Sequence, residues 1–312
     1  MSRSFESASE SELAEVLESE THVDMEKLLS LCWHGIPDLM RGEAWKYLLG
    51  VTRPEKSEEL SRSKRMEQEY SELERTLQVN PGPTSELVRC IKTEVKRYRP
   101  DEDFFCEART QQRMERILRG YLHRHSTEFL PGMVHLLGPL VYVYHGNEAD
   151  AYHCFYELMN RLGGGLTFAG CKRQTVTFMT LLRHTLPDLY QYLEEDQVAG
   201  GQWLTSWLQF LLARELPLPC VLRLWDSYFS LRYIVWQPSP AALSTFHPRE
   251  ASLQELHIFV CLAILEACHE ELMELDDAEL LWYLQHLPAM DMGKVITQAM
   301  NIKDDVVARS IL

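Results

Sequence analysis

Apolar residues recur at intervals of three and four along most of this chain. Met25, Leu28, Leu29 and Cys32 form the first such run, which ends before Pro37. This spacing puts apolar side chains on one face of an α-helix and therefore predicts an amphipathic helix. No sustained alternation of apolar and polar residues, the pattern typical of strands, interrupts the series. The pattern predicts an all-α fold.

The same period predicts a series of further helices. Charged side chains dominate residues 55–75, where Met66, Tyr70, Leu73 and Leu77 form one narrow apolar stripe. That combination is typical of a solvated helix that lies on a domain by a single face. The other helices are predicted at residues 45–49, 87–97, 111–123, 133–144, 149–162, 174–186, 202–215, 220–231, 253–275 and 278–287.

Two segments differ in composition from the helical series. Residues 1–24 are rich in Ser and Glu and hold few large apolar side chains, so we expect a flexible tail. Within it, an amphipathic turn around Leu13 is expected to contact a partner. The Pro-rich stretch 237–248 is expected to be an inserted loop and not a domain boundary. Residues 25–312 should therefore form one domain.

Charge and cysteine usage narrow the class of protein. The chain has 31 Lys and Arg residues against 46 Asp and Glu residues, so nucleic-acid binding is not expected. Its eight cysteines include no Cys-x-x-Cys pair, which favours free thiols over a zinc site. The longest apolar segment, 258–265, is far shorter than the roughly 20 residues of a membrane span. We expect a cytoplasmic protein without metal or cofactor, brought to membranes only by a partner.

One spacing on a predicted helix is a candidate for chemistry. Ile91, Glu94 and Arg97 are three residues apart and share a helix face, so Glu94 can orient the guanidinium of Arg97. By composition alone, this spacing indicates an ordinary surface ion pair worth about 0.2–0.5 kcal/mol.

Three segments together carry a family resemblance. Residues 35–50 read Gly-Ile-Pro-Asp-Leu-Met-Arg-Gly-Glu-Ala-Trp-Lys-Tyr-Leu-Leu-Gly, a loop that runs into a short helix. The spacing Ile91-x-x-Glu94-x-x-Arg97 follows, and residues 214–226 end in Arg-x-Trp-Asp. Together they resemble the TBC domain, the GTPase-activating module for Rab GTPases.

The resemblance covers the chain from about His22 to about Leu287 and implies a two-lobed, all-α domain. The N-terminal lobe is expected at about 25–171 and the C-terminal lobe at about 172–312. In the family, a groove between the lobes accepts the switch region of a GTP-bound Rab. The family also implies an activator that is not itself a hydrolase.

The resemblance assigns roles to individual residues. Arg97 stands at the position of an arginine finger, which enters the nucleotide pocket of the Rab, and Glu94 at that of an orienting Asp. A guanidinium supplied in trans neutralises charge on the transferred phosphoryl group and is worth roughly 10³–10⁵ in rate. The extra methylene of Glu94 matters because misplacement by about 1 Å can cost about a hundredfold. Arg41 is expected to support the finger region.

Residues 129–133, Phe-Leu-Pro-Gly-Met, depart from the family's Tyr-x-Gln-Gly-Met. The family's Gln supplies a carboxamide that positions the attacking water. Pro131 has no such group, although a proline suits the first turn of a helix and the loop geometry can survive. Beside it, Gly132 matches the family's Gly and Phe129 stands in place of its Tyr, and both are expected contacts of the site.

Other residues are expected to support the fold. Arg223 and Asp226, three apart on a helix, can pair. Gln111 and Gln112 lie on a helix next to the site, and nothing in the sequence places either amide there. The residues expected in the core are Trp33, Trp45, Leu48, Leu49, Phe210, Leu224, Trp225, Phe259, Leu262 and Leu265.

Three functions remain open from the sequence. The first is a Rab GTPase activator that works through Arg97, with the glutamine of the Rab positioning water. The second is a catalytically silent TBC module that binds a Rab or scaffolds another protein. The third is a helical scaffold with no GTPase partner.

Overall fold

A computed structural model describes residues 2–79, 85–163, 168–195, 201–231 and 253–309. Seventeen α-helices and one short 3-10 helix form in these ranges, and no strand does. The prediction of an all-α fold is confirmed. The expected loop at 237–248 lies outside the described residues.

The chain divides into two compact units, of which the first comprises Met1–Cys32 and Ile36–Arg161. At its centre, α7 packs against α4, α5, α6 and α8. Gly120 of α7 lets this packing be close, because a Cβ there would lie 2.9 Å from Leu73 Cδ2. The helices are α1 (Ser2–Leu17), α2 (Met25–Cys32), α3 (Asp38–Leu49), α4 (Glu59–Val79), α5 (Ser85–Arg97), α6 (Asp103–Cys106), α7 (Ala108–His125), α8 (Met133–Val143) and α9 (Glu148–Leu162).

The N-terminal segment departs from the flexible tail expected from its composition. Leu13, Val16 and Leu17 are buried within the first unit, where α1 packs against α2 and α3. The Lys56 ammonium also donates to the Leu17 carbonyl at 2.5 Å. The three apolar residues share one helix face, and their cover comes from helices later in the chain, which composition does not reveal.

The second unit comprises Trp33–Gly35 and Leu162–Leu312. Its α14 is apolar nearly all round and packs against α10, α12, α13 and α17. A helix of that kind belongs in a core. The helices are α10 (Phe168–Thr185), α11 (Pro187–Glu195), α12 (Gln202–Phe210), α13 (Leu218–Phe229), α14 (Leu253–Ala267), α15 (His269–Leu272), α16 (Asp277–Gln285) and α17 (Met292–Ala308).

Several helix boundaries in the second unit differ from the predicted ones. The helix predicted at 202–215 ends at Phe210, because Leu211 and Leu212 adopt φ of +52° and +60°. The helix predicted at 253–275 breaks at Cys268, and α11 and α17 were not predicted. The expected lobe boundary near residue 171 stays a prediction.

Most of the expected core residues are buried. Trp33 and Phe210 are only half-buried, since one lies in a loop and the other ends a helix. The buried ones are Trp45, Leu48, Leu49, Leu224, Trp225, Phe259, Leu262 and Leu265.

A histidine sits inside the second unit with both ring nitrogens bonded. Tyr228 Oη lies 2.7 Å from His257 Nδ1, and His257 Nε2 lies 2.7 Å from the Trp207 carbonyl oxygen. A neutral ring that accepts from the tyrosine and donates to the carbonyl satisfies all three groups. Burial lowers the pKa of His257 to about 4. The core therefore holds this histidine uncharged at neutral pH.

In the part of the chain that the structure describes, none of the helices combines the length and the apolar character needed to cross a membrane.

Candidate functional site

The predicted finger, Arg97, is the last residue of α5. Ile91 and Val95 are buried and seat this helix in the first unit, where it packs against α7. The side chain of Arg97 is 73% exposed. A cation at the C-terminal end of a helix also interacts favourably with the helix dipole. The buried face of the helix therefore fixes α5 in the first unit, while its last residue exposes a guanidinium group to solvent.

Glu94 lies beside Arg97, as the spacing predicted. Arg97 Nη1 is 3.6 Å from Glu94 Oε1, which is an ion-pair distance longer than a hydrogen bond. Such an exposed pair is worth about 0–1 kcal/mol. Glu94 therefore favours one orientation of the Arg97 guanidinium without fixing it.

The two residues after Arg97 form a packed turn that the sequence did not single out as part of the site. Tyr98 is 2% exposed, and Arg99 adopts φ of +42°, uncommon for a residue with a side chain. Arg99 Nε donates to Tyr98 Oη at 3.1 Å, and Arg99 Nη1 donates to Glu102 Oε1 at 2.9 Å. The available signal in the sequence was spacing, because Tyr98 follows the buried Val95 by three residues, just beyond the end of the helix.

The segment that carries Pro131 leads into α8. Met133 N donates to the Leu130 carbonyl at 2.9 Å, and Val134 N donates to the Pro131 carbonyl at 3.1 Å. Phe129 is half-buried, Gly132 is buried and Pro131 is exposed. These bonds use the carbonyl of Pro131 and not the N–H that proline lacks. The turn is formed, and its exposed side chain carries no hydrogen-bonding group.

The neighbouring glutamine Gln111 has a structural partner. Its Nε2 donates to the Phe105 carbonyl at 3.1 Å and so ties α7 to α6. Gln112 is exposed on α7. The structure thus gives Gln111 a role in holding α6.

The α5 terminus meets α8 through Tyr98. A Cβ on Gly138 would lie 2.1 Å from Tyr98 Oη and 2.2 Å from Tyr98 Cζ. The tyrosine ring also meets His135 of α8 edge-on, with ring centroids 5.3 Å apart. Only a glycine lets the ring lie this close to the helix.

Arg41 and Trp45 support α3. Arg41 is buried and donates to the Ile36 carbonyl at 2.6 Å and to the Asp38 carboxylate, which closes the loop before the helix. Trp45 is completely buried. Tyr144 Oη donates to the Gly42 carbonyl at 2.8 Å and links α3 to α8. A direct effect of Arg41 on the finger stays a prediction.

Arg223 and Asp226 lie on α13 in the second unit. Arg223 Nη1 donates to Ser227 Oγ at 2.8 Å, and Ser227 Oγ donates to the Trp33 carbonyl at 2.6 Å. The Arg223 side chain also covers Gly35, where a Cβ would lie 2.9 Å from Arg223 Nε. Asp226 is fully buried. These contacts indicate a structural role for Arg223, and its pairing with Asp226 stays a prediction.

Known proteins share this sequence pattern. The chain is 27% identical over 299 residues to GTPase-activating protein gyp1 of Schizosaccharomyces pombe, covering 86% of this chain and 55% of the relative. It is 26% identical over 316 residues to human TBC1 domain family member 22A, covering 90% of this chain and 57% of the relative. The chain thus spans little more than half the length of these relatives.

Solved structures share the fold. The crystal structure of the Ypt/Rab-GAP domain of Gyp1p superimposes with a TM-score of 0.82 at 22% identity, covering 95% of this chain and 98% of that one. The Chlamydomonas flagellar RabGAP TBC domain gives a TM-score of 0.68 at 19% identity, covering 97% of this chain and 94% of that one. At these identities, the likeness concerns the fold.

A sequence model of the Rab-GTPase-TBC domain matches residues 38–273. The match includes α3, α5 with its exposed arginine, the turn before α8, and α13. Because it spans most of the chain and agrees with the all-α fold, this protein belongs to the Rab-GTPase-TBC domain family.

Proposed function

We propose that this protein is a GTPase-activating protein that speeds GTP hydrolysis by a Rab through Arg97. The observation that carries the proposal is the guanidinium of Arg97, 73% exposed at the end of a helix whose other face is buried. The family membership and the names of the relatives agree with it. The protein acts on a partner's reaction and is not itself the hydrolase.

The proposed mechanism uses charge supplied in trans. When a GTP-bound Rab docks, Arg97 enters its nucleotide pocket and neutralises the charge that develops on the transferred phosphoryl group. Glu94, 3.6 Å away, favours one orientation of the guanidinium before docking. Pro131 has no amide, so the glutamine of the Rab positions the attacking water.

The charge of α5 supports binding of an acidic partner surface. Arg89, Lys92 and Lys96 are exposed on this helix, in a chain whose net charge is -15. Lys92 has only a distant ion pair, with its Nζ 3.9 Å from Glu115 Oε2. Local positive charge of this kind raises association rates with acidic surfaces. We expect the protein to be cytoplasmic and to reach endomembranes through its Rab.

A second candidate function is a TBC module that binds a Rab without activating it. Pro131 favours this alternative, because the exposed position in the turn before α8 offers no group to hold water. The two functions differ in what the protein stabilises. An activator binds the transition state of hydrolysis more tightly than the GTP-bound ground state, whereas a silent module needs only ground-state binding.

The test is single-turnover GTP hydrolysis by a panel of purified Rabs with this protein, with Arg97→Ala and with Lys96→Ala. Lys96 is the matched control, since it is a neighbouring exposed cation on the same helix. Because Lys96 is one of the cations proposed to aid docking, Lys96→Ala should raise the half-maximal protein concentration and keep the maximal rate. Acceleration at saturating protein that Arg97→Ala abolishes and Lys96→Ala retains supports the activator. Nucleotide-dependent binding without acceleration supports the silent module, and the absence of both leaves a helical scaffold.

A further inference from the structure

Tyr98 occupies a tight position directly after Arg97. Its ring is 2% exposed and meets Phe105 edge-on, with the ring centroids 4.7 Å apart. It also meets His135 edge-on, with the ring centroids 5.3 Å apart. A buried ring in contact with two others has few alternative rotamers, because interiors are close-packed. The backbone joined to it, which includes Arg97, is therefore held as well.

Gly138 allows the Tyr98 ring to lie against α8, because it has no side chain there. A Cβ at that position would lie 2.1 Å from Tyr98 Oη, whereas ordinary contacts begin at 3.4 Å. Adding one methyl group would therefore require the ring or the helix to move by about 1 Å. The atoms that the methyl group would meet belong to a buried aromatic ring that contacts two others, so we expect the displacement to pass to the backbone at residues 97–99.

Arg99 holds the same ring through its guanidinium group. Its Nε donates to Tyr98 Oη at 3.1 Å, and its guanidinium carbon lies 5.6 Å from the centre of the Tyr98 ring. Glu102 accepts from Arg99 Nη1 at 2.9 Å. Unlike Arg97, Arg99 is 13% exposed in its side chain. Of two arginines separated by one residue, one is presented to solvent and the other secures the turn.

This contact joins the two parts of the candidate site. Tyr98 follows the exposed arginine, and Gly138 lies on α8, the helix that begins immediately after the Pro131 turn. Moving one helix relative to the other changes where Arg97 stands with respect to that turn. In catalysis, a displacement of about 1 Å can cost about a hundredfold in rate.

We propose that Tyr98 and Gly138 form a joint that positions Arg97 for GTPase activation, with Arg99 and Glu102 holding the tyrosine in place. The inference rests on the proposed function. Tyr98 is a positioning residue, because it acts through Arg97 and not on the nucleotide. Changes at the joint therefore lower the maximal rate and leave docking of the Rab nearly unchanged.

The experiment measures the maximal rate and the half-maximal protein concentration for a responsive Rab. Gly138→Ala is expected to lower the maximal rate about 30- to 100-fold while the half-maximal concentration stays within about threefold. Tyr98→Ala should lower the rate about 10- to 100-fold. Tyr98→Phe keeps the ring and loses only the hydrogen bond from Arg99 Nε, so it should lower the rate by no more than about threefold. The double variant that combines Gly138→Ala with Tyr98→Ala should be no slower than Tyr98→Ala alone, since the added methyl group at residue 138 no longer meets a ring.

Gly120→Ala is the matched control. Its added Cβ meets the flexible end of Leu73, at 2.9 Å from Cδ2, on the α4 side of α7. The rate of this variant should be within about twofold of the parent. If all joint variants lose stability but keep the maximal rate, the contact is only structural and the inference is overturned.

A second measurement does not depend on activity. Amide hydrogen exchange at residues 96–102 should become faster in Tyr98→Ala, with little change in α4. Unchanged exchange there overturns the joint even if no Rab responds. Acceleration by the parent protein that Arg97→Ala does not affect overturns the proposed function instead, so the two failures are distinguishable.

Discussion

The end of α5 and the turn before α8, the two parts of the proposed site, offer different side chains. At the end of α5, the exposed Arg97 retains a functional group suited to phosphoryl chemistry. In the turn before α8, Pro131 is also exposed and offers no donor or acceptor side chain. The backbone and the buried residues that support each part are nevertheless well packed, both at the end of α5 and in the turn before α8.

The difference shows that different residues determine the backbone structure of a site and the chemical groups that it exposes. The turn before α8 is built from backbone bonds to the Leu130 and Pro131 carbonyls, and these bonds place no demand on the side chain. The end of α5 depends on buried Ile91, Val95 and Tyr98, and none of these reacts. A functional side chain can therefore be lost without loss of the fold.

The largest effect is expected from replacing the retained group. Arg97→Lys keeps the positive charge but loses the planar guanidinium that can donate two bonds to a phosphate. Single-turnover assays should show a fall of about 10²–10³ in the maximal rate. Lys96→Arg serves as the control. A rate within about threefold of the parent would mean that a point charge is sufficient.

A pH titration tests the stability of the second unit, which holds His257 as a buried titratable group. The pKa of His257 falls from its usual 6.5 to about 4 on folding, so the folded state favours the neutral ring. The resulting stability is complete above pH 6.5 and declines as the pH falls towards 4, by up to about 3 kcal/mol.

Urea unfolding at pH 7.5 and pH 5 tests this prediction. The parent should lose more free energy of unfolding between the two pH values than His257→Gln, which does not titrate. Equal losses in both proteins would contradict the assignment. Activity assays on the two parts of the site are then best compared at the higher pH, where this source of unfolding is absent.

Restoring the missing amide should have an intermediate effect. Pro131→Gln places a carboxamide at the exposed position of the turn and should raise the maximal rate about 10- to 100-fold. Pro131→Ala is the matched control. It restores the backbone N–H without adding a side-chain carboxamide, so it should give no gain in rate. No increase in kcat/KM with Pro131→Gln on a Rab that binds would exclude the loss of the glutamine as the limiting defect.

The smallest effect is expected at Glu94. The Glu94–Arg97 pair is exposed at 3.6 Å, so its contribution should be about 0.2–0.5 kcal/mol, or roughly a twofold change in rate for Glu94→Gln. The same assay as for Arg97→Lys measures it. A fall of more than tenfold would show that the acid orients the finger much more strongly in the complex than the isolated pair suggests.

The sequence by itself determined the all-α fold, the family and the asymmetry between Arg97 and Pro131. Helical periodicity is a local property, because residues three and four apart share a face whatever surrounds them. The absence of an amide on Pro131 is likewise intrinsic to the side chain. The motifs at 35–50 and 91–97 are each contiguous in the chain, so the order of their residues is enough to carry the resemblance.

Only the tertiary structure shows how the helices pack together and how the residues of the proposed site are held. The burial of Leu13 and the contact of Tyr98 with Gly138 both depend on residues distant in sequence. The spacing of Glu94 and Arg97 predicted a pair, but only side-chain placement gave the 3.6 Å separation. Such features arise from close packing between elements, and packing is fixed only when the whole chain is folded.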